Sequence, residues 1–133
     1  MESQQLNLLR NKLLNMKNLL IFLFTAGMYI STHAQNYTQF QIKRATMFST
    51  YVAEKMELNE TQEQFVYDVM LARVYNSNER IKSQNLTVQA DKQVVYKSEY
   101  KKAQEKLAAE FGAKEARKMM SLSNEARKNA DNN

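Results

Sequence analysis

From Phe65 to Tyr75 apolar residues cover more than one side of a helix, through Phe65, Val66, Val69, Met70, Leu71, Ala72, Val74 and Tyr75, broken by Asp68 and Arg73. So wide an apolar face predicts a helix that packs against two neighbours or against a second subunit. Its start is marked by Asn59, whose side-chain oxygen suits an N-cap, and by Gln62, which stands where a capping-box partner reaches back. Glu60 and Glu63 add negative charge at the positive end of the helix dipole. From Asn76 to Asn85 the pattern turns polar, with Ile81 the one apolar residue. That stretch reads either as an exposed extension of the helix or as the loop that reverses the chain.

Ahead of this helix, Tyr37, Phe40, Phe48, Val52 and Met56 predict another over 36–56, with Ala45 and Tyr51 beside the same stripe. Behind it Thr87 is the next expected cap, and Val88, Val95, Tyr96, Tyr100, Ala103, Leu107 and Phe111 recur at helical spacings. The opposite face, with Lys92, Lys97, Glu99, Lys101, Lys102, Glu105, Lys106 and Glu110, reads as solvated surface carrying i,i+4 pairs such as Lys106 with Glu110. Gly112 is expected to stop the helix in a left-handed C′ conformation. Ala113 to Lys128 is a weaker amphipathic helix built on Ala116, Met119, Met120, Leu122 and Ala126, and residues 129–133 form an expected disordered tail.

The N-terminus has a different pattern. Met16-Lys17-Asn18 is a short basic segment, Leu19 to Ile30 an apolar one, and Ser31-Thr32-His33-Ala34 a small-residue cleavage site. Together they read as a secretory signal with its start at Met16 and cleavage after Ala34. Residues 1–15 are then an upstream extension, and 35–128 the mature helical domain. The apolar run is short for a bilayer span, which takes about 20 residues. The expected location is periplasmic or otherwise exported, the alternatives being a retained membrane anchor or a core helix.

Composition narrows the fold class and the chemistry. With no Pro, no Cys, no Trp and two Gly, the chain lacks the usual residues of tight turns and hairpins, so the expectation is all-α. About four helices would form a long hairpin or a small bundle. The formal charge is +5, but two of those charges come from the first 17 residues. The rest is a basic lean too small for a nucleic-acid footprint, and a membrane is expected as a partner only through an uncleaved signal. The single histidine, His33, leaves with the signal, which removes Ser-His-Asp and Cys-His relays and His-ligated zinc from the mature chain. No cofactor, metal or catalytic residue is expected. Glu60 and Glu63 are better explained as dipole partners than as an acid/base pair.

Leu58-Asn59-Glu60-Thr61-Gln62 resembles the LTxxQ signature of the Spy/CpxP-like periplasmic stress proteins, with Asn59 in place of the threonine. Both are capping residues. Phe111-Gly112-Ala113-Lys114-Glu115 stands where that family carries a second copy, keeping the apolar first position and Glu115 at the last. In layout the resemblance covers residues 37–128. It implies a curved, often dimeric, helical cradle that binds unfolded or partner proteins without ATP. The motif and cap residues are then Leu58, Asn59, Gln62, Phe111, Gly112 and Glu115. Candidate binding residues are Lys43, Arg44, Arg73, Lys97, Lys101 and Lys102, which would attract acidic client segments, with Phe48 and Tyr75 holding them. The expected function is therefore a non-enzymatic, chaperone-like or envelope-stress-related module. The alternative is a small structural or regulatory envelope protein that homodimerises or docks on a membrane partner through the 65–75 helix.

Overall fold

In the computed structural model the chain is described over residues 3–10 and 36–132, and it divides into two units that meet at Asn36 and Tyr37. The predicted signal, Met16 to Ala34, lies outside the described residues. In the first unit residues 3–10 are helical (α1), with Leu6, Leu8 and Leu9 exposed. The second unit holds α2 (Gln39–Met56), α3 (Glu60–Ser83), α4 (Gln89–Phe111) and α5 (Ala113–Asp131). The described residues contain no strand, so the fold is all-α. None of their helices is long and apolar enough to cross a membrane.

Each helix end has a local cause. Asn59 caps α3 as its sequence requires: its Oδ1 accepts from Gln62 N–H at 2.9 Å, and Gln62 Oε1 accepts from Asn59 N–H at 3.1 Å. Thr38 and Gln41 form a second capping box at the head of α2, at 3.2 and 2.9 Å. That box starts α2 at Gln39, where the apolar pattern had pointed to residue 36. α3 continues through the polar stretch to Ser83, so that stretch is an extension of the helix. Asn85 then turns left-handed at φ 49° and Leu86 N–H reaches back to Ile81 O at 3.0 Å. This closure places the cap of α4 at Val88, without a side-chain bond, one residue beyond the expected Thr87.

The four helices close into a small bundle. α2 packs on α3 and α5, and α4 packs on α3 and α5, which leaves α2/α4 and α3/α5 as the diagonals. Tyr37 meets Tyr75 and Thr50 meets Glu63, so α2 and α3 are antiparallel. Phe65 meets Phe111 and Arg80 meets Glu99, so α3 and α4 are too. On the α2/α5 side Tyr51 Oη donates to Glu125 Oε1 at 2.7 Å.

The core consists of Ala45, Phe48 and Val52 from α2, Val66, Val69, Met70 and Leu71 from α3, Ala103 and Leu107 from α4, and Ala116, Met119, Met120 and Ala126 from α5. The wide apolar stretch of α3 thus finds its two neighbours, α2 and α4, within the chain. Burying one such side chain stabilises the fold by about 1.5–3 kcal/mol. Three expectations need correcting. Phe40, placed on the apolar stripe of α2, is 60% exposed. Glu99, placed on a solvated face, is 2% exposed, because it sits four residues from both Val95 and Ala103 on the inward stripe of α4. Residues 129–131, expected in a disordered tail, continue α5, whose last buried residue is Ala126.

Candidate functional site

Arg73 stands in α3 between Met70 and Ser77, both buried, so its side chain is directed into the bundle. Its guanidinium carbon lies 5.0 Å from the centroid of the Tyr100 ring on α4 and 6.0 Å from that of Phe48 on α2. Arg44 approaches the same Phe48 ring at 6.0 Å, and Phe40 at 5.5 Å. The positive charges of Arg127, near the end of α5, and of Arg44 act on Arg73 as well. Rings from α2 and α4 flank this guanidinium. Burial pushes Arg73 below the usual arginine range; Tyr100 opposes this, and the charges of Arg127 and Arg44 add to it. Arginine stays protonated nonetheless, and its buried Nη1 has no hydrogen-bond partner.

The one buried carboxylate among the described residues is committed elsewhere. Glu99 Oε1 accepts from Arg80 at 2.8 Å and from Lys102 at 3.1 Å. Burial alone would raise its pKa, but these two hydrogen bonds and charges outweigh burial and hold the carboxyl below its ordinary value.

Beside this cluster, α3 and α4 border an open groove of about 340 Å³. Val69, Ala72 and Ala103 supply apolar lining, Arg73, Lys102 and Lys106 positive charge, and Glu99 and Glu105 negative charge. The i,i+4 pair expected between Lys106 and Glu110 is not formed; the pair of that spacing found on α4 is Lys101 with Glu105, at 4.0 Å.

Of the predicted binding residues, Arg44, Phe48 and Arg73 come together, and Lys102 shares the groove with Arg73. Phe48 is a correction: at 5% exposure it is a core side chain that two arginines flank, with no surface to offer a client. Tyr75 is half-buried and meets Tyr37 edge to face at 5.3 Å. Lys43, Lys97 and Lys101 are exposed and lie outside both groove and cluster. Among the cap residues, Leu58 packs against the core, Phe111 meets Phe65 at 5.8 Å, and Glu115 is in the first turn of α5. Gly112 heads α5 with no side-chain cap, so the second motif copy lacks the reciprocal bonds of the first. Sequence reasoning missed Arg127 and Glu99. The inward stripe of α4 could have revealed Glu99, whereas Arg127 stands on an exposed position and carried no signal.

Among the described residues no group of three or more His, Cys, Asp or Glu side chains could hold a metal ion. Fold and site together define a small four-helix bundle with an uncompensated cationic centre beside an apolar-lined groove. No protein-family model, curated protein or solved structure matches the chain.

Proposed function

We propose that the chain is a non-enzymatic binding module of the exported, periplasmic kind, chaperone-like or related to envelope stress, which holds unfolded or partner proteins on a cationic and apolar helical face. The α3/α4 groove is the observation that carries this reading. Its lining combines Val69, Ala72, Ala103 and Ala109 with the charges of Arg73, Lys102 and Lys106, set against the carboxylates of Glu99 and Glu105. Lysine and arginine charge speeds encounter with an acidic segment, and desolvated apolar contact then retains it. The Spy/CpxP-like resemblance at Leu58 to Gln62 points the same way.

The test is suppression of aggregation of a chemically denatured client by the purified protein at low and moderate salt. Suppression is expected to weaken in the double variant Lys106→Glu/Ala109→Glu, which places acid along the exposed groove edge without touching the Glu99 pair. Equal performance of the variant, or no suppression by the natural chain, would refute the reading. Export is tested separately, by the intact mass of protein recovered from the cell envelope. A chain beginning at or near Gln35 is expected.

A further inference from the structure

The outer side of α5 has a row of positive charge that the bundle itself does not use. Lys114, Arg117, Lys118, Ser121, Glu125 and Lys128 stand at i, i+3, i+4, i+7, i+11 and i+14, the spacing of one helix side. All six are exposed, while Ala116, Met119, Met120, Ser123 and Ala126 on the other side are buried in the bundle. None of the four cations is in an ion pair among the described residues. Glu125, the acid of the row, accepts from the Tyr51 hydroxyl of α2 at 2.7 Å. Glu115 falls on the flank of Leu122 and Ala126, seven and eleven residues on, and Asp131 is the last residue of the helix. Beside Tyr51, Lys55 lies 5.4 Å from the ring and Glu54 acts on the hydroxyl, so α2 adds no net charge to this side.

We propose that this side of α5 lies against an anionic membrane surface, with Lys114, Arg117, Lys118 and Lys128 towards the lipid headgroups. The row is about 21 Å long at 1.5 Å per residue, and its charge is unmatched within the bundle. A planar array of headgroups asks only for such a density of positive charge, because attraction to anionic lipid grows with each Lys or Arg near the surface. Long lysine and arginine stems without fixed partners can follow headgroups that move laterally. An acidic protein segment fits less well. Protein partners are retained by anchors seated in pockets, and between its charges this side offers only Ser121 and Glu125. Neither the α3/α4 groove nor the polar groove between α2 and α3 takes a lining residue from α5. The face is therefore separate from the proposed client groove and does not depend on it. The small net charge of the whole chain is no obstacle, since acidic side chains more than a Debye length away, about 10 Å at 0.1 M salt, are screened from it.

The experiment is co-sedimentation of the full chain with two kinds of vesicle, phosphatidylcholine alone and equal parts of phosphatidylcholine and phosphatidylglycerol. The apolar run from Leu19 to Ile30 is common to every variant, so its contribution appears on both vesicles and the excess on the anionic one reports charge. That excess is expected to fall as sodium chloride is raised. Arg117→Gln/Lys118→Gln, at two exposed positions, should weaken apparent affinity for the anionic vesicle about tenfold. Lys43→Gln/Lys82→Gln removes equal charge from exposed positions on α2 and α3 and should leave the excess nearly unchanged. Equal retention on both vesicles, or equal loss in the two double variants, would overturn the proposal. So would capture on immobilised polyglutamate, lost in Arg117→Gln/Lys118→Gln, without an anionic excess; that result identifies an acidic protein as the partner.

Discussion

Glu57 ends α2 at φ 53° and ψ 45°, a left-handed conformation that costs a residue with a Cβ about 1–2 kcal/mol. Its N–H and that of Leu58 both return to Ala53 O, the latter at 3.0 Å, so the turn is set by backbone bonds rather than by the glutamate side chain. Glu57→Gly is expected to stabilise the protein by about 0.5–1 kcal/mol, the relief of strain exceeding the added freedom of the unfolded chain. The check is a higher urea midpoint with unchanged slope. A lower midpoint would mean that the glutamate side chain contributes more than its backbone conformation costs. Glu99 gives a pH prediction. Its folded pKa lies below the unfolded one, so the stability it adds is present above the ordinary glutamate value, about 4.3, and is lost as pH falls through the folded value. Glu99→Gln should cost about 1–3 kcal/mol near neutrality and flatten that acid limb. Urea melts between pH 7 and pH 3 that stay parallel for the two proteins would contradict this.

At the scale of elements, α3 depends on its cap and α4/α5 on one glycine. Asn59→Ala removes the acceptor of the Gln62 N–H and is expected to cost about 1 kcal/mol, while Asn59→Thr should stay within a few tenths. Denaturant midpoints for the two variants test whether capping is the whole role of the position. Gly112 joins two helices without a loop: its N–H closes α4 on Ala108 O at 2.9 Å, and its carbonyl opens α5 by accepting from Ala116 at 3.0 Å. The left-handed stop expected from sequence is only half realised, since φ is 91° but ψ is 157°, an extended region that is essentially restricted to glycine. Nothing lies within 4 Å of a Cβ built there, so Gly112→Ala tests backbone strain alone. It is expected to destabilise by about 1–3 kcal/mol. An unchanged midpoint would show that α4 and α5 tolerate another angle between them.

For the whole molecule, the buried core found among the described residues lies between Ala45 and Ala126, on α2, α3, α4 and α5. A chain beginning at Gln35 is therefore expected to melt cooperatively, with undiminished helical signal per residue of that unit, as circular dichroism would show. Loss of cooperativity would mean that residues before 35 support the bundle. Helix class, the Asn59 cap and the break at Gly112 were legible in the sequence because they rest on local chemistry: propensity, a capping oxygen, a missing Cβ. The inward stripes of α3 and α5 were legible for a related reason, since apolar periodicity records which face leaves water. The charged members of those faces were not. Arg73 and Glu99 interrupt their stripes as surface residues would, and only helices closing around them give one a shelf of aromatic rings and the other two cationic partners. The sequence by itself determined the helices and most of their ends, whereas the tertiary structure decided that they form a closed bundle and that Arg44 and Arg73, distant in the chain, lie against the same Phe48 ring. Local bonds act within a few residues, but the cost of a buried charge depends on whatever the other helices bring beside it.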